Sequence, residues 1–131
     1  MYGGDSPDHA SAQLAAGREL TAIQAVLGLK IPKLQVPLMA VIDFRGSRLT
    51  AQALVPIGTS TLCYGSADAG RTLVSSPVPS IVVEISKKLH LAEHPVFSVS
   101  GQRHQLWMPA DVEVHQPDAS SDTFYLIDLA R

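Results

Sequence analysis

Ala110-Asp111-Val112-Glu113-Val114-His115 and Phe124-Tyr125-Leu126-Ile127-Asp128-Leu129-Ala130-Arg131 are the two stretches from which the fold is read. In the first, Val112 and Val114 alternate with Asp111, Glu113 and His115, the period of a strand with one apolar and one ionisable face. The second is apolar and aromatic, carries Asp128 near its end and closes on Arg131. A polar loop, Gln116–Asp122, separates them, and Thr123–Leu129 reads as the last strand.

Upstream, the same reading gives more short strands and two helices. Residues 6–27 are predicted helical, with Ser6 as N-cap, Pro7 at the first helical position and Gly28 as the stop. Ala16, Leu20, Ile23 and Leu27 share one apolar face, and Glu19 falls on another, where a solvated charge is expected. Leu29–Pro37 is a connector marked by Pro32 and Pro37. Leu38–Phe44 and Arg48–Ile57 are strands joined at Arg45-Gly46-Ser47, a short Gly-containing hairpin loop. The run Leu38–Ile42 is apolar on both faces, which places it inside a sheet. On the second strand Leu49, Ala51 and Ala53 alternate with Arg48, Thr50 and Gln52, so one face is wet. Asp43 and Arg45 suit a local salt bridge. Thr61–Tyr64 and Arg71–Ser75 follow as strands around the turn-rich loop 65–70. Ser80 is expected to cap a second helix, Ile81–Leu91, with Lys87 and Lys88 near its cation-favouring end. Val96–Ser100 and Gln105–Met108 complete the strands, with Trp107 as a core anchor. The order predicts an α+β domain with a mainly antiparallel sheet and two principal helices, one domain over residues 1–131.

Composition narrows the function classes. The chain has 131 residues, 46% hydrophobic and 17% charged, with a net charge of -2, which fits a globular domain with a buried core. No apolar run reaches membrane-span length and no leader pattern opens the chain, so membrane insertion is not expected. The ten basic residues are scattered rather than gathered in the stripe that nucleic-acid binders use. Cys63 alone excludes an internal disulfide and a cysteine zinc cage, and reads as a small buried hydrophobe.

The ionisable residues allow two chemistries. Asp111, Glu113, His115 and Asp128 could ligate a hard or borderline cation, or serve a metal- or nucleotide-binding, kinase-like enzyme core together with Glu19. The alternative is that they face solvent or make structural hydrogen bonds. No nucleophile elbow, Cys–His pair or phosphate loop with its Lys is present. No cofactor is implied.

Several stretches together resemble the CLU domain of the clustered mitochondria protein family. They are Met1-Tyr2-Gly3-Gly4-Asp5, Gly17-Arg18-Glu19-Leu20, Val36 through Leu49, Leu54-Val55-Pro56-Ile57, Tyr64 through Thr72, and the two closing stretches. The resemblance runs in order from end to end. It implies a non-catalytic interaction domain of a larger cytoplasmic protein that binds messenger RNA, is linked to translation initiation and influences mitochondrial distribution. Expected partners are other domains of the parent protein and mRNA or ribosome and initiation-factor components. Tyr64, Arg71 and Arg131 lie in the matching stretches and join Asp111, Glu113, His115 and Asp128 as candidate binding residues. This chain departs from the family in Gln116–Asp122, which lacks the glycine-bearing turn that the family places there.

Overall fold

The computed structural model describes residues 9–67, 71–109 and 111–130. The Ser6-Pro7-Asp8 start signal and Arg131 lie outside that range. Helix α1 spans His9–Gly28 and helix α2 Ser80–Lys88. Nine strands accompany them among the described residues: β1 (Leu34–Gln35), β2 (Met39–Phe44), β3 (Ser47–Gln52), β4 (Leu62–Ala67), β5 (Thr72–Val74), β6 (His94–Phe97), β7 (Arg103–Leu106), β8 (Glu113–His115) and β9 (Phe124–Ile127). The α+β class with mainly antiparallel pairing holds, and the β-structure is divided among three sheets. The main sheet has the order β1-β9-β8-β4-β5, and β2–β3 and β6–β7 are separate two-stranded hairpins.

The two closing stretches of the chain lie at the centre of the main sheet. β8 pairs antiparallel with β4 on one side and with β9 on the other. Val114 and Leu126 face each other in register and are fully buried, so the apolar face of the alternation is the core face. β1 falls where the sequence predicts only a connector. It pairs parallel with β9, Leu34 beside Phe124, and the Phe124 amide donates to the Lys33 carbonyl at 2.8 Å. A Lys33–Asp122 ion pair at the surface ties the same two segments. Ile23 and Val26 of α1, Ile81 and Ile85 of α2, and Tyr64 and Leu126 of the sheet belong to one core cluster.

Helix α1 presents a different face from the predicted one. Ala16, Glu19, Ile23 and Val26 are buried, whereas Leu27 is 50% exposed. The spacings of three, four and three turn Glu19 inward in place of Leu27. At α2 the helix starts from Pro79 with no side-chain cap, so Ser80 is the first helical residue rather than the cap. Lys87 and Lys88 do occupy its last turn.

The β2–β3 hairpin overturns a second expectation. Its loop is Arg45-Gly46, with φ of +49° and +82°, the paired left-handed conformation that matches strand twist and that Gly adopts without strain. Asp43 pairs with Arg48, its cross-strand partner, through two hydrogen bonds of 2.6 and 2.7 Å, and Arg45 instead stacks over Phe44. β2 packs beside α1. The run Leu38–Ile42, expected inside a sheet, lies in this small hairpin, and every residue of β3 is exposed. Leu38, Ile42, Phe44 and Leu49 are exposed large hydrophobic residues on one face of it.

Candidate functional site

β8 and the turn before β4 bring three polar side chains, Glu113, His115 and Thr61, together. Spacing of two on a strand puts Glu113 and His115 on one face, and their side chains meet: His115 Nε2 lies 2.9 Å from Glu113 Oε2. His115 is 3% exposed. Its other nitrogen, Nδ1, lies 2.9 Å from Thr61 Oγ1. Thr61 ends the single 3₁₀ turn Thr59–Thr61, and its hydroxyl accepts from the Gly58 amide at 2.9 Å and donates to the Gly58 carbonyl at 2.8 Å. The Gln116 amide donates to the Thr61 carbonyl, which fixes the turn against the end of β8.

The result is a Glu113–His115–Thr61 relay. The carboxylate meets Nε2 and orients the ring, Nδ1 meets the hydroxyl, and the tautomer of the ring sets the direction of both contacts. A hydroxyl has one hydrogen and two lone pairs, and Gly58 and His115 together occupy them. This arrangement joins two elements 54 residues apart.

Glu19 forms a second buried polar point. It is 1% exposed, and its Oε1 accepts from the Leu129 amide at 3.1 Å, just past β9. Its Oε2 is buried with no partner among the described residues. Burial pushes this carboxyl above its ordinary value, the Leu129 and Ala130 amides oppose that rise, and the neighbouring Asp128 charge adds to it. The sequence places Glu19 in solvent, and nothing local marks the amide 110 residues away that receives it.

The remaining predicted residues are dispersed. Asp128 is exposed and sits beyond β9 at φ +57°, a left-handed position that Asp tolerates better than most residues. The sequence sets it inside an apolar strand, where Arg131, His115 or Arg45 would have to pair with it. It lies beside Glu19; His115 is engaged with Glu113 and Thr61, Arg45 stacks over Phe44, and Arg131 lies outside the described residues. Asp111 is half-buried in the turn before β8 and is not part of that strand. Arg71 is exposed in the turn that opens β5. Tyr64 is fully buried, and its hydroxyl accepts from the Trp107 amide at 2.9 Å, so it serves the core rather than a surface. Burial raises this phenol above its ordinary value. Among the described residues, no group of three or more His, Cys, Asp or Glu side chains is placed to hold a metal ion. Asp111, Glu113, His115 and Asp128 are therefore not gathered into a metal-holding group. Cys63 is half-buried, donates to the Val114 carbonyl at 3.2 Å, and its thiol is pushed up by burial. A groove of about 860 Å³ runs between α1 and the β2–β3 hairpin, lined by Ala12, Gln13, Asp43, Arg48 and Thr50 among others, and contains none of the predicted residues.

Comparison with known proteins places these features in a family. Residues 3–131 match the family described as clustered mitochondria, CLU. The clustered mitochondria protein homolog of Neosartorya fischeri is 30% identical over 137 residues, covering 98% of this chain and 10% of the relative. That of Caenorhabditis briggsae is 31% identical over 136 residues, again covering 98% of the chain and 10% of the relative. The chain thus spans about a tenth of the length of these curated relatives. No solved structure matches it. No described helix is long and apolar enough to cross a membrane.

Proposed function

We propose, from the premise that this chain belongs to the clustered mitochondria family, that it is a non-catalytic interaction domain of a longer protein. The observation that carries this reading is the closure of the ionisable residues on the fold itself. His115 and Glu113 satisfy each other and Thr61, and Glu19 receives the Leu129 amide. Catalysis needs an acid, base or nucleophile within reach of a substrate in a cleft. Here Glu113, His115 and Glu19 are engaged in joining α1, β8, β9 and the turn before β4.

The messenger-RNA, translation and mitochondrial-distribution roles that the family resemblance implies belong, in this reading, to the assembled cytoplasmic parent. This chain contributes a contact surface to it. Thermal denaturation with and without Mg²⁺ and ATP tests the non-catalytic part, because a ligand of the native state raises Tm by mass action. No change is expected, and a rise of several degrees at millimolar ligand overturns it. Electrophoretic mobility with unstructured RNA at two salt concentrations assigns the RNA contact. A shift at low salt that high salt abolishes puts it on this chain; no shift puts it elsewhere in the parent.

A further inference from the structure

The β2–β3 hairpin is constructed as part of a larger sheet. Leu38, Ile42, Phe44 and Leu49 lie on one face, with Ala40 and Ala51 between them, and all are exposed. A two-stranded hairpin is marginal in water on its own, and an open apolar face beside open strand edges invites pairing. The edges are open in a defined way. The Ala53 amide donates to the Leu38 carbonyl at 2.8 Å, and the two-residue loop closes at Phe44 and Ser47. Pairs along an antiparallel ladder alternate between bonded and non-bonded, so the pairs Met39–Gln52, Val41–Thr50 and Asp43–Arg48 are the non-bonded ones. The backbone groups of Arg48, Thr50 and Gln52 therefore point away from β2, along the outer edge of β3. α1 lies beside β2, and β3 is exposed throughout.

We infer that a β-strand from a segment of the parent polypeptide outside these 131 residues pairs along the β3 edge and, with its neighbours, covers the Leu38–Leu49 apolar face. The size of the face selects a tethered occupant over a second copy. Six residues at roughly 3.3 Å each, two strands wide at roughly 4.8 Å, make a face of a few hundred Å² at most. A stable interface between separate proteins needs about 800 Å² per partner. A tethered strand meets the hairpin at an effective concentration in the millimolar range and escapes most of the association cost. The relatives, about ten times longer than this chain, contain ample sequence to supply it. The occupant is recognised by its chemistry: an extended segment with alternating apolar side chains, matching the pleat of β3.

Amide hydrogen exchange tests this on two proteins as they exist, the 131-residue chain and the full-length Caenorhabditis briggsae relative. In the isolated chain, the amides of Arg48, Thr50 and Gln52 are expected to exchange at near-random-coil rates at every protein concentration. At the matching positions of the full-length relative they are expected to be protected at least about 100-fold. Equal, fast exchange in both proteins overturns the proposal. Protection in the isolated chain that grows with its concentration also overturns it, in favour of a second copy. A second arm uses Leu49→Lys. In the isolated chain its Tm should stay within about 2 °C of the unsubstituted value, since the site is solvent. In the full-length relative a lysine placed at the position that matches Leu49 should abolish the protection at the β3 edge, and retained protection overturns the proposal. This outcome does not depend on the Mg²⁺, ATP and RNA assays, so failure of either proposal is seen separately.

Discussion

Glu19→Gln isolates the energetic effect of placing a carboxylate between α1 and the end of β9. Gln keeps the volume and the carbonyl oxygen that accepts from the Leu129 amide. It removes the charge, and with it the repulsion from Asp128. In both proteins one terminal polar atom is buried with no partner among the described residues, so the difference between them is the charge, whose burial costs more than that of a neutral polar group. The carboxyl is raised above its ordinary value in the fold, chiefly by burial. Its contribution to stability is thus fully present below the unfolded value, and is lost as pH rises through the higher folded value. Gln has no such dependence. Glu19→Gln is expected to match wild type near pH 4 and to exceed it by about 1–3 kcal/mol near pH 7.5. Asp43 and Asp118, held low by Arg48 and Ser120, act with the opposite sign, but they are common to both proteins and cancel in the difference. Urea denaturation at half-unit steps across that pH range reads the difference directly. A variant less stable than wild type at the upper end, or a difference that does not change with pH, refutes the reasoning.

Tyr64→Phe removes the acceptor of the Trp107 amide from a fully buried site, and should cost about 1–3 kcal/mol, a fall of several degrees in Tm; an unchanged Tm would show that water replaces the hydroxyl. Gly65→Ala should be far worse. Gly65 sits at φ +96°, and an added Cβ would lie 1.8 Å from the Val112 carbonyl oxygen, so β4 and β8 must separate. A loss on the order of 3 kcal/mol or more is expected by denaturation, and a loss below about 1 kcal/mol would contradict the close approach of those strands. Thr61→Val and His115→Phe, singly and together, should show a coupling of at least about 0.5 kcal/mol in a double-mutant cycle, and strict additivity would dissolve the relay.

The parts of this fold that are legible in the sequence depend on near neighbours. The Arg45-Gly46 turn, the alternation around Val114 and the strand Phe124–Ile127 each follow from the local pattern. The parts that are not legible depend on distant partners. Two apolar stripes compete on α1, and the one through Glu19 wins because a backbone amide past β9 is there to receive the carboxylate. Residue type alone favours Leu27 over Glu19, and tertiary context reverses it. Likewise the apolar alternation of β3 predicts one wet face and one buried face. Its apolar face is exposed as well, since burial requires something opposite and no described element lies there. In the site, the Glu113–His115 contact is implicit in their spacing. Thr61 is not, because the 3₁₀ turn and the register of β4 on β8 together bring it to the imidazole.

The parallel pairing of β1 with β9 sets the timing of the fold. The main sheet runs β1-β9-β8-β4-β5, so β1, made early, waits for a neighbour that is made last. Its pairing register, Leu34 beside Phe124, closes a loop of 90 residues, one of the longest separations in the chain. Contacts of such high sequence separation form slowly, because loop closure must be met before they repay it. On the ribosome the β2–β3 and β6–β7 hairpins can form from their own residues as they emerge. The main sheet, and the Glu19 contact beyond β9, can close only after Leu129 has left the exit tunnel. Until then α1 exposes the stripe that carries its one buried carboxylate, and that interval is when the nascent domain most needs protection from aggregation.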